Sequence, residues 1–555
     1  MTRLAISRPG WFARSCAIGL LAIAFLPAAR AQLLKQESDP AVLANALLDQ
    51  QPGVASVAVW RAGGLQQASV FRTDANSPVA AWPEPQPPMF EIGSVSKVFT
   101  GLLLAQAVER GELALTDKLG TLLKDQAPGM SPGVAAIDLR QLVTHTSCLP
   151  RQVASQGGAQ MGREFRDLTR AQLWAGVSAA SVAGGPPCAG VYSNFGFAVL
   201  GELLAQHAGK PWDALVRERI TGPLGMTDTV VRLGERESRM ALPFSGEEEA
   251  PAWDMEAFAG AGGLRSTAAD LVTFARAVAA GRQGPLGPAA ERLVTPLAPF
   301  EGAEIGYAVW IREADGRRVV WHMGLTGGYR TVWMVLPQGE AVAASVSNAQ
   351  APAHKVVNAV DRSLFPVASV ALPVNAATLA QYAGVYRYGR EGVFGFGVRD
   401  GALYVRGGQD GFAPLLAVAD SRFTRPESAA QFDFERDAGR VTTVTLRQGG
   451  RMVVARRDDA ASVYAVASRE QLLPFAGRYR LPWGAVMEVT AGDGQLLARL
   501  PRQWRLPVFA LAAGNDRFAY VAVKAELQFE RDAQGRVASL VLHQNGEHRA
   551  QRLPD

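Results

Sequence analysis

The sequence is poor in lysine, cysteine and long apolar runs. Seven lysines stand against 49 arginines in 555 residues, and there are three cysteines. Three cysteines cannot form a disulfide scaffold, and no Cys-x-x-Cys or His-x-x-x-His cluster accompanies them, so no metal site is expected. After residue 31, 52 basic residues face 51 acidic ones, and no later segment is long and apolar enough to span a bilayer. Neither a nucleic-acid partner nor a membrane span is therefore expected beyond residue 31.

The first 31 residues are typical of an export signal. Arginines precede an apolar run from Cys16 to Leu26, and Ala29-Arg30-Ala31 matches a small-x-small cleavage site. A membrane anchor is the alternative, but the run is shorter than the roughly 20 residues that a spanning helix needs. The pattern predicts a signal peptide over 1–31, a mature chain from Gln32, and a periplasmic or secreted location.

Export leaves two cysteines, Cys148 and Cys188, in a compartment where thiols can oxidise. We expect them to form a disulfide, with two buried thiols as the alternative.

The residues from 32 to 365 alternate between strand and helix patterns. Apolar runs at 54–60 and 68–72 around Arg-Ala-Gly-Gly predict a hairpin. Helical periods are found at 95–110, 195–207, 211–219 and 268–281, the last opened by a capping-box pattern at Ser266-Thr267 and Asp270. Strands are predicted at Tyr307–Ile311, Val319–His322, Tyr329–Leu336 and Ala341–Ser347. Strands at both ends with helices between them indicate an α+β domain whose sheet unites the two ends.

The sequence repeats itself beyond a proline-rich linker at 366–373. Tyr382-Ala-Gly-Val-Tyr386 recurs as Phe475-Ala-Gly-Arg-Tyr479, and Phe434-Glu-Arg-Asp437 recurs as Phe529-Glu-Arg-Asp532. Two matches in the same order at nearly the same offset indicate a duplication. Each copy, 376–458 and 469–555, has alternating strands without a helical period, which predicts two small antiparallel β-barrels. One continuous sandwich is the alternative.

Lys97 is unusual among the seven lysines because it lies in a mostly apolar helix three residues after Ser94. Three residues are nearly one helical turn, so the hydroxyl and the amine would share a face at the helix N-terminus. A desolvated lysine can lose its proton near neutral pH and act as a base, which arginine cannot do. The spacing alone is common, and a serine cap beside a solvent-facing lysine would produce it equally well.

The surrounding motifs strengthen the catalytic interpretation. Glu91-Ile-Gly-Ser-Val-Ser-Lys97 resembles the Ser-x-x-Lys motif of penicillin-binding proteins and class C β-lactamases. Tyr192-Ser-Asn194 is similar to their Tyr-x-Asn element, and His322-Met-Gly-Leu-Thr-Gly-Gly-Tyr329 to their Lys-Thr-Gly strand. The segment Leu142–Pro150 also resembles a family signature. The three catalytic elements follow in the family's order over roughly residues 50 to 350, so coincidence is a poor explanation.

The resemblance implies a role for each matched residue. Ser94 would be the nucleophile, Lys97 the base, and Tyr192 a phenol or phenolate that relays the proton. Asn194 would hold the substrate amide, and the Leu325 amide, just after Gly324, would join that of Ser94 in an oxyanion hole. His145 is expected to be structural rather than catalytic.

The sequence departs from the family pattern at His322, where these enzymes usually have a lysine that engages a substrate carboxylate. A mostly neutral imidazole is a poorer anchor, although acidification through the usual histidine range should shift selectivity toward carboxylates. The His-x-Gly form resembles D-aminopeptidases and some esterases, and those D-aminopeptidases also carry two eight-stranded barrels.

The expectation is thus an exported serine hydrolase without metal or organic cofactor. It would act on small peptides or amides bearing D-residues, as a D-aminopeptidase or D-Ala carboxypeptidase. An esterase or a class C-like β-lactamase is the alternative on the same fold, and a non-catalytic envelope binding protein is the alternative from another class. A homodimer is among the assemblies that the sequence allows.

Overall fold

The computed structural model describes residues 39–554 except 49–50, 75, 154–164, 166–167, 183–184, 189, 301–302, 315–316, 337–338, 352–355, 357–371, 390–391, 408–410, 426–429, 449–450, 460–463, 493, 502–505, 513, 515 and 521–524. The predicted signal peptide, 1–31, lies outside the described residues. The chain divides into two compact units, which meet in sequence between Ala368 and Ser369. No helix within the described part has the length and apolar character needed to cross a membrane.

The first unit is built on an antiparallel sheet. The strands of the whole unit are β1 (Gly53–Arg61), β2 (Gly64–Arg72), β3 (Ala80–Ala81), β4 (Phe90–Glu91), β5 (Phe244–Ser245), β6 (Glu248–Glu249), β7 (Arg265–Ser266), β8 (Ala298–Phe300), β9 (Ala303–Ile305), β10 (Trp310–Ala314), β11 (Arg317–Leu325), β12 (Arg330–Val335) and β13 (Ala341–Val346). Nine of them form the sheet in the order β3-β2-β1-β13-β12-β11-β10-β9-β8. Because β1 pairs with β13, with Ala55 opposite Val346, the sheet unites both ends of the unit as predicted.

The helices of this unit lie on both faces of the sheet. They are α1 (Pro40–Leu48), α2 (Ser96–Glu109), α3 (Leu119–Leu122), α4 (Pro132–Ala135), α5 (Leu139–Val143), α6 (Arg170–Ala179), α7 (Asn194–Ala208), α8 (Trp212–Val216), α9 (Ala259–Gly262), α10 (Ala268–Ala279) and α11 (Pro288–Leu293). Side chains alternate along β12, so Trp333 packs in the larger core with α2, α7 and α10, whereas Met334 packs with α1. The predicted α+β class is confirmed.

Three local predictions differ from the structure. A strand was expected from Tyr307, but β10 begins at Trp310, because Ala308 adopts a left-handed φ of 66° that interrupts extended backbone. The helix expected at 211–219 ends at Val216 and continues as a π-helical turn. Before α10, the predicted cap is present in half: Thr267 accepts from the Asp270 amide at 3.1 Å, but the Asp270 side chain accepts from the Asp228 amide at 3.0 Å instead of completing a capping box.

The second unit contains two closed barrels of eight antiparallel strands each. After helix α12 (Ala376–Tyr382), the first barrel consists of β14 (Gly384–Tyr388), β15 (Gly392–Arg399), β16 (Ala402–Gly407), β17 (Ala413–Ala419), β18 (Arg422–Thr424), β19 (Gln431–Asp437), β20 (Arg440–Gln448) and β21 (Arg451–Arg457). After α13 (Arg469–Leu472), the second consists of β22 (Gly477–Arg480), β23 (Val486–Ala491), β24 (Leu496–Arg499), β25 (Leu506–Ala510), β26 (Arg517–Tyr520), β27 (Glu526–Arg531), β28 (Val537–His543) and β29 (Glu547–Arg552). The predicted pair of barrels is confirmed, and the single sandwich is excluded.

The two barrels are closed by equivalent interactions, as expected of duplicated sequences. In the first, Arg457 of the last strand donates to the Ala383 carbonyl at 2.6 Å, and Tyr386 donates to the Tyr382 carbonyl at 3.0 Å. In the second, Arg552 donates to the Ala476 carbonyl at 2.7 Å and Tyr479 to the Phe475 carbonyl at 2.8 Å. The last strand is therefore fastened to the residues that precede the first.

Candidate active site

Ser94 lies on a tight turn immediately before α2. The turn, Gly93–Val95, requires a φ of +49° at Gly93, a conformation that residues with a Cβ rarely adopt. Ser94 itself is half-buried, and its hydroxyl lies 3.0 Å from the Nζ atom of Lys97 in the first turn of α2. The predicted juxtaposition of Ser94 and Lys97 is thus present.

Lys97 is 0% exposed, and its Nζ has two further oxygen partners. These are Asn194 Oδ1 at 2.8 Å and the Ala261 carbonyl at 2.6 Å. No carboxylate is among them. Burial, and secondarily the charge of Arg151, hold the pKa of Lys97 well below its usual range. The amine is therefore suited to be neutral at neutral pH.

Tyr192 and Asn194 enter the site from the residues that begin α7. Ser193 caps this helix by accepting from the Gly196 amide at 2.8 Å, and this fixes its two neighbours. The ring centroid of Tyr192 lies 4.9 Å from Lys97 Nζ. Burial raises the pKa of Tyr192 to about 12, although a hydrogen bond with Ser94 and the charge of Arg151 act in the opposite direction. Of the two forms considered from the sequence, the phenol is thus favoured over the phenolate.

The end of β11 approaches the backbone of the Ser94 turn closely. A methyl group at Gly324 would lie 1.8 Å from the Ile92 carbonyl oxygen and 3.1 Å from the Ser94 amide nitrogen. One at Gly93 would lie 2.9 Å from the Leu325 amide nitrogen. The absence of both Cβ atoms therefore lets the amides of Ser94 and Leu325 come close together, and the Leu325 side chain is exposed.

His322 is buried beside this edge rather than exposed to solvent. Its ring centroid lies 4.3 Å from that of Trp310, and its Nδ1 donates to the Met323 carbonyl at 2.7 Å. Because a carbonyl can only accept, the proton of the neutral ring resides on Nδ1. Burial, helped by the charge of Lys97, lowers the pKa of His322 to about 3. The expected change of selectivity at the usual histidine pKa is therefore wrong, since this ring stays neutral there.

His145 is held as a structural residue, in keeping with the sequence interpretation. Its Nδ1 accepts from the Ser193 amide at 3.1 Å, so the proton of the neutral ring resides on Nε2. The ring packs 4.3 Å from that of Tyr192, and burial lowers its pKa well below the usual range.

The two cysteines join the two loops that flank the site. Cys148 and Cys188 form a disulfide with Cα atoms 5.4 Å apart. The Cys188 amide also donates to the Thr146 carbonyl at 2.9 Å, and the Val191 amide to the His145 carbonyl at 2.9 Å. These bonds hold the backbone next to Tyr192, whose side chain forms a hydrogen bond with Ser94.

Sequence reasoning missed two charged residues near the site. Arg151 lies directly after the Leu142–Pro150 motif, one residue beyond the part that was interpreted. Glu91, three residues before Ser94, is buried, and its Oε1 accepts from the Trp253 amide at 2.6 Å. Burial raises the pKa of Glu91 to about 7, although the hydrogen bond from Trp253 and the charge of Arg265 act in the opposite direction. The local sequence does not indicate that either residue lies near the site, because the placement of each depends on partners distant in sequence.

Comparisons with known proteins identify relatives of both units. Residues 42–365 match the beta-lactamase family model, and residues 465–553 match a domain of unknown function, DUF3471. The D-alanyl-D-alanine-carboxypeptidase/endopeptidase AmpH of Escherichia coli K12 is 33% identical over 183 residues, which are 33% of this chain and 47% of that protein. Penicillin-binding protein 4 of Amycolatopsis lactamdurans is 29% identical over 283 residues, covering 47% of this chain and 72% of that protein.

Among solved structures, the beta-lactamase/D-alanine carboxypeptidase of Pseudomonas syringae matches 60% of this chain and 98% of its own, with a TM-score of 0.50 and 20% identity. That likeness concerns the fold. The chain spans about half the length of AmpH, one of the curated relatives that it matches. The family model, by contrast, covers more than half of this chain, including Ser94, Lys97, Tyr192 and His322. The chain belongs to the beta-lactamase family.

Proposed function

We propose that this protein is a serine hydrolase that forms an acyl-enzyme at Ser94. The observation that carries the proposal is the buried, carboxylate-free environment of Lys97 next to the Ser94 hydroxyl. Desolvation makes a lysine a base at neutral pH, and a structural lysine at a serine cap would have no reason to be fully buried. The same feature weighs against a purely non-catalytic binding protein.

The hydrogen bonds of Lys97 determine where its lone pair points. A neutral amine has two N–H donors, and both the Asn194 Oδ1 and the Ala261 carbonyl can only accept. With both N–H groups used there, the nitrogen lone pair remains for the Ser94 hydroxyl proton. Asn194 is left with its Nδ2 group to donate to a substrate amide.

Acylation then proceeds by proton transfer among Ser94, Lys97, Tyr192 and the leaving group. Ser94 Oγ bonds to the substrate carbonyl carbon while its proton passes to Lys97 Nζ, and the amides of Ser94 and Leu325 stabilise the oxyanion. The carbon–nitrogen bond breaks as the proton moves from Lys97 through the Tyr192 hydroxyl to the leaving amine. Water next attacks the acyl ester with Lys97 as base, which releases a carboxylic acid and restores the Ser94 hydroxyl.

The proposed substrates are small peptides or amides bearing a D-residue, with esters and β-lactams as alternatives. Support comes from the 33% identity to a D-alanyl-D-alanine-carboxypeptidase/endopeptidase over the matched region. We also propose that the protein acts in the periplasm or outside the cell. The disulfide between Cys148 and Cys188 supports this location, because such bonds persist in oxidising compartments.

The test is covalent labelling of the purified protein with a fluorophosphonate or a fluorescent penicillin. Mass spectrometry of the labelled peptide should place the adduct on Ser94, and Ser94→Ala should abolish both the adduct and turnover. Ser96→Ala is the matched control, because Ser96 lies two residues away, is buried, and accepts from the Leu264 amide at 3.1 Å. Turnover that survives in Ser94→Ala would refute the mechanism.

A further inference from the structure

The backbone of Arg151 is attached to the site by hydrogen bonds. Its carbonyl oxygen accepts from the amides of Asn194 at 3.0 Å and Phe195 at 3.2 Å. The preceding carbonyl, that of Pro150, accepts from the Ser193 hydroxyl at 2.7 Å. The loop that carries Arg151 is therefore attached to the start of α7, which also carries the proposed catalytic tyrosine and asparagine.

The guanidinium of Arg151 is exposed and lies over the ring of Tyr192, with Cζ 5.1 Å from the ring centroid. Within the described parts of the chain, no carboxylate forms an ion pair with it. Its positive charge contributes to the lowered pKa of Lys97 and opposes the rise in the pKa of Tyr192. A cation with no carboxylate partner among the described residues thus lies over the ring of Tyr192, the residue proposed to protonate the leaving group.

We infer that Arg151 binds a carboxylate on the leaving group of the substrate. The inference rests on the proposed function, in which the Tyr192 hydroxyl delivers the proton to the leaving amine. In a C-terminal amino acid the carboxylate is two bonds from that nitrogen, so an amine at Tyr192 brings the carboxylate toward the guanidinium. Arginine suits this task because its planar donors match a carboxylate in a bidentate manner.

This role also explains how the chain can bind a substrate carboxylate although it has His322 where related enzymes usually have a lysine. His322 is neutral and buried, so it cannot supply the charge. Arg151, over the ring of Tyr192, supplies it instead. The substrate class is therefore an amide or peptide that ends in a free carboxylate at the residue to be released, and the cleavage is of the carboxypeptidase type.

The experiment compares an N-acyl-D-alanyl-D-alanine peptide with its C-terminal carboxamide. For the wild type, kcat/KM should favour the carboxylate by about tenfold or more, the contribution expected of a charge-assisted hydrogen bond. Arg151→Gln should lower that ratio at least tenfold, and Arg151→Lys should retain part of it. Arg217→Gln, which removes an exposed arginine in the turn Arg217–Thr221, is the matched control and should keep the ratio.

A binding measurement separates this inference from the proposed mechanism. Calorimetry of both peptides on Ser94→Ala, with and without Arg151→Gln, needs no turnover. Loss of the carboxylate preference on adding Arg151→Gln supports the inference even if Ser94 proves not to be the nucleophile. An unchanged ratio in turnover or an unchanged difference in affinity would overturn it. As a second readout, Arg151→Gln should move the acid limb of the pH–rate profile to higher pH, because the pKa of Lys97 then rises.

Discussion

The two units differ in where their titratable side chains lie. The first buries groups that titrate, among them Glu91, Lys97, His145 and His322. The barrels instead place their charges in exposed pairs such as Arg499 with Glu488, and fill their interiors with aliphatic and aromatic side chains. Arg406 is an exception, buried over the rings of Tyr464 and Phe509. Because desolvating a charged group costs free energy, the concentration of buried titratable groups around Ser94 supports the active site proposed there.

The largest expected effect comes from changing the buried amine. Lys97→Met removes the base, and Lys97→Arg replaces it with a group that stays protonated, so both should lower kcat/KM about a thousandfold or more. Tyr192→Phe, which interrupts the same proton transfer, should act similarly. In the wild type, kcat/KM should be flat through neutral pH and fall on acidification, since Lys97 must be neutral. Activity of Lys97→Arg within tenfold of the wild type would contradict this.

A smaller effect is expected on stability when Glu91 is made neutral. Its pKa is 4.5 for a free side chain and about 7 in the fold. Between these pH values the folded protein holds a proton that the unfolded chain has released, so the free energy of unfolding falls as the pH rises. Glu91→Gln should remove this dependence and stabilise the protein at pH 8 by up to about 3 kcal/mol.

Urea unfolding at pH 5 and pH 8 would measure this effect. Asp270, whose pKa is raised to about 6, titrates in both proteins and cancels in the difference between them. Equal pH dependence in Glu91→Gln and the wild type would show that Glu91 is not the responsible group.

A tenfold effect is expected from restoring the family lysine. His322→Lys adds an amine close to Lys97. In its protonated form this amine should raise kcat/KM for carboxylate substrates about tenfold, without improving neutral amides or esters. The measurement is the ratio of kcat/KM for matched charged and neutral substrates. An unchanged ratio would mean that residue 322 does not read the substrate.

The smallest effect is expected in the second barrel. Arg499 Nη2 lies 2.6 Å from Glu488 Oε2, with the two side chains 44% and 42% exposed. Arg499→Ala should therefore change the free energy of unfolding by less than about 1 kcal/mol, with no effect on turnover. A larger loss in a chemical denaturation curve would show that exposed pairs contribute more than the comparison of the units suggests.

The sequence predicted the elements whose signals are local. The barrels followed from repeated motifs, the hairpin β1–β2 from alternation, and the meeting of Ser94 and Lys97 from their spacing on one helical turn. Even there, the limits of β10 were missed, because the left-handed backbone at Ala308 is imposed by its surroundings: its amide bonds to the Val143 carbonyl at 3.2 Å.

Features that depend on distant residues could not be predicted in the same way. The neutrality of His322 arises from burial and from the charge of Lys97, 225 residues earlier. The position of Arg151 arises from hydrogen bonds to the start of α7, over 40 residues later. Composition and motif order indicate which residues belong to the site. Contacts between distant parts of the fold determine whether those residues are charged and where their side chains lie.

The equivalent closures of the two barrels also bear on the order of protein synthesis. Strands β14 and β22 have similar sequences. Each pairs with the last strand of its barrel, β21 or β29, and both of these strands end in arginine. On a ribosome, all eight strands of the first barrel emerge before β22 does, so the first barrel can close before a competing edge exists. The order of translation thus favours closure of each half on its own strands, an advantage that simultaneous refolding of the whole chain does not have.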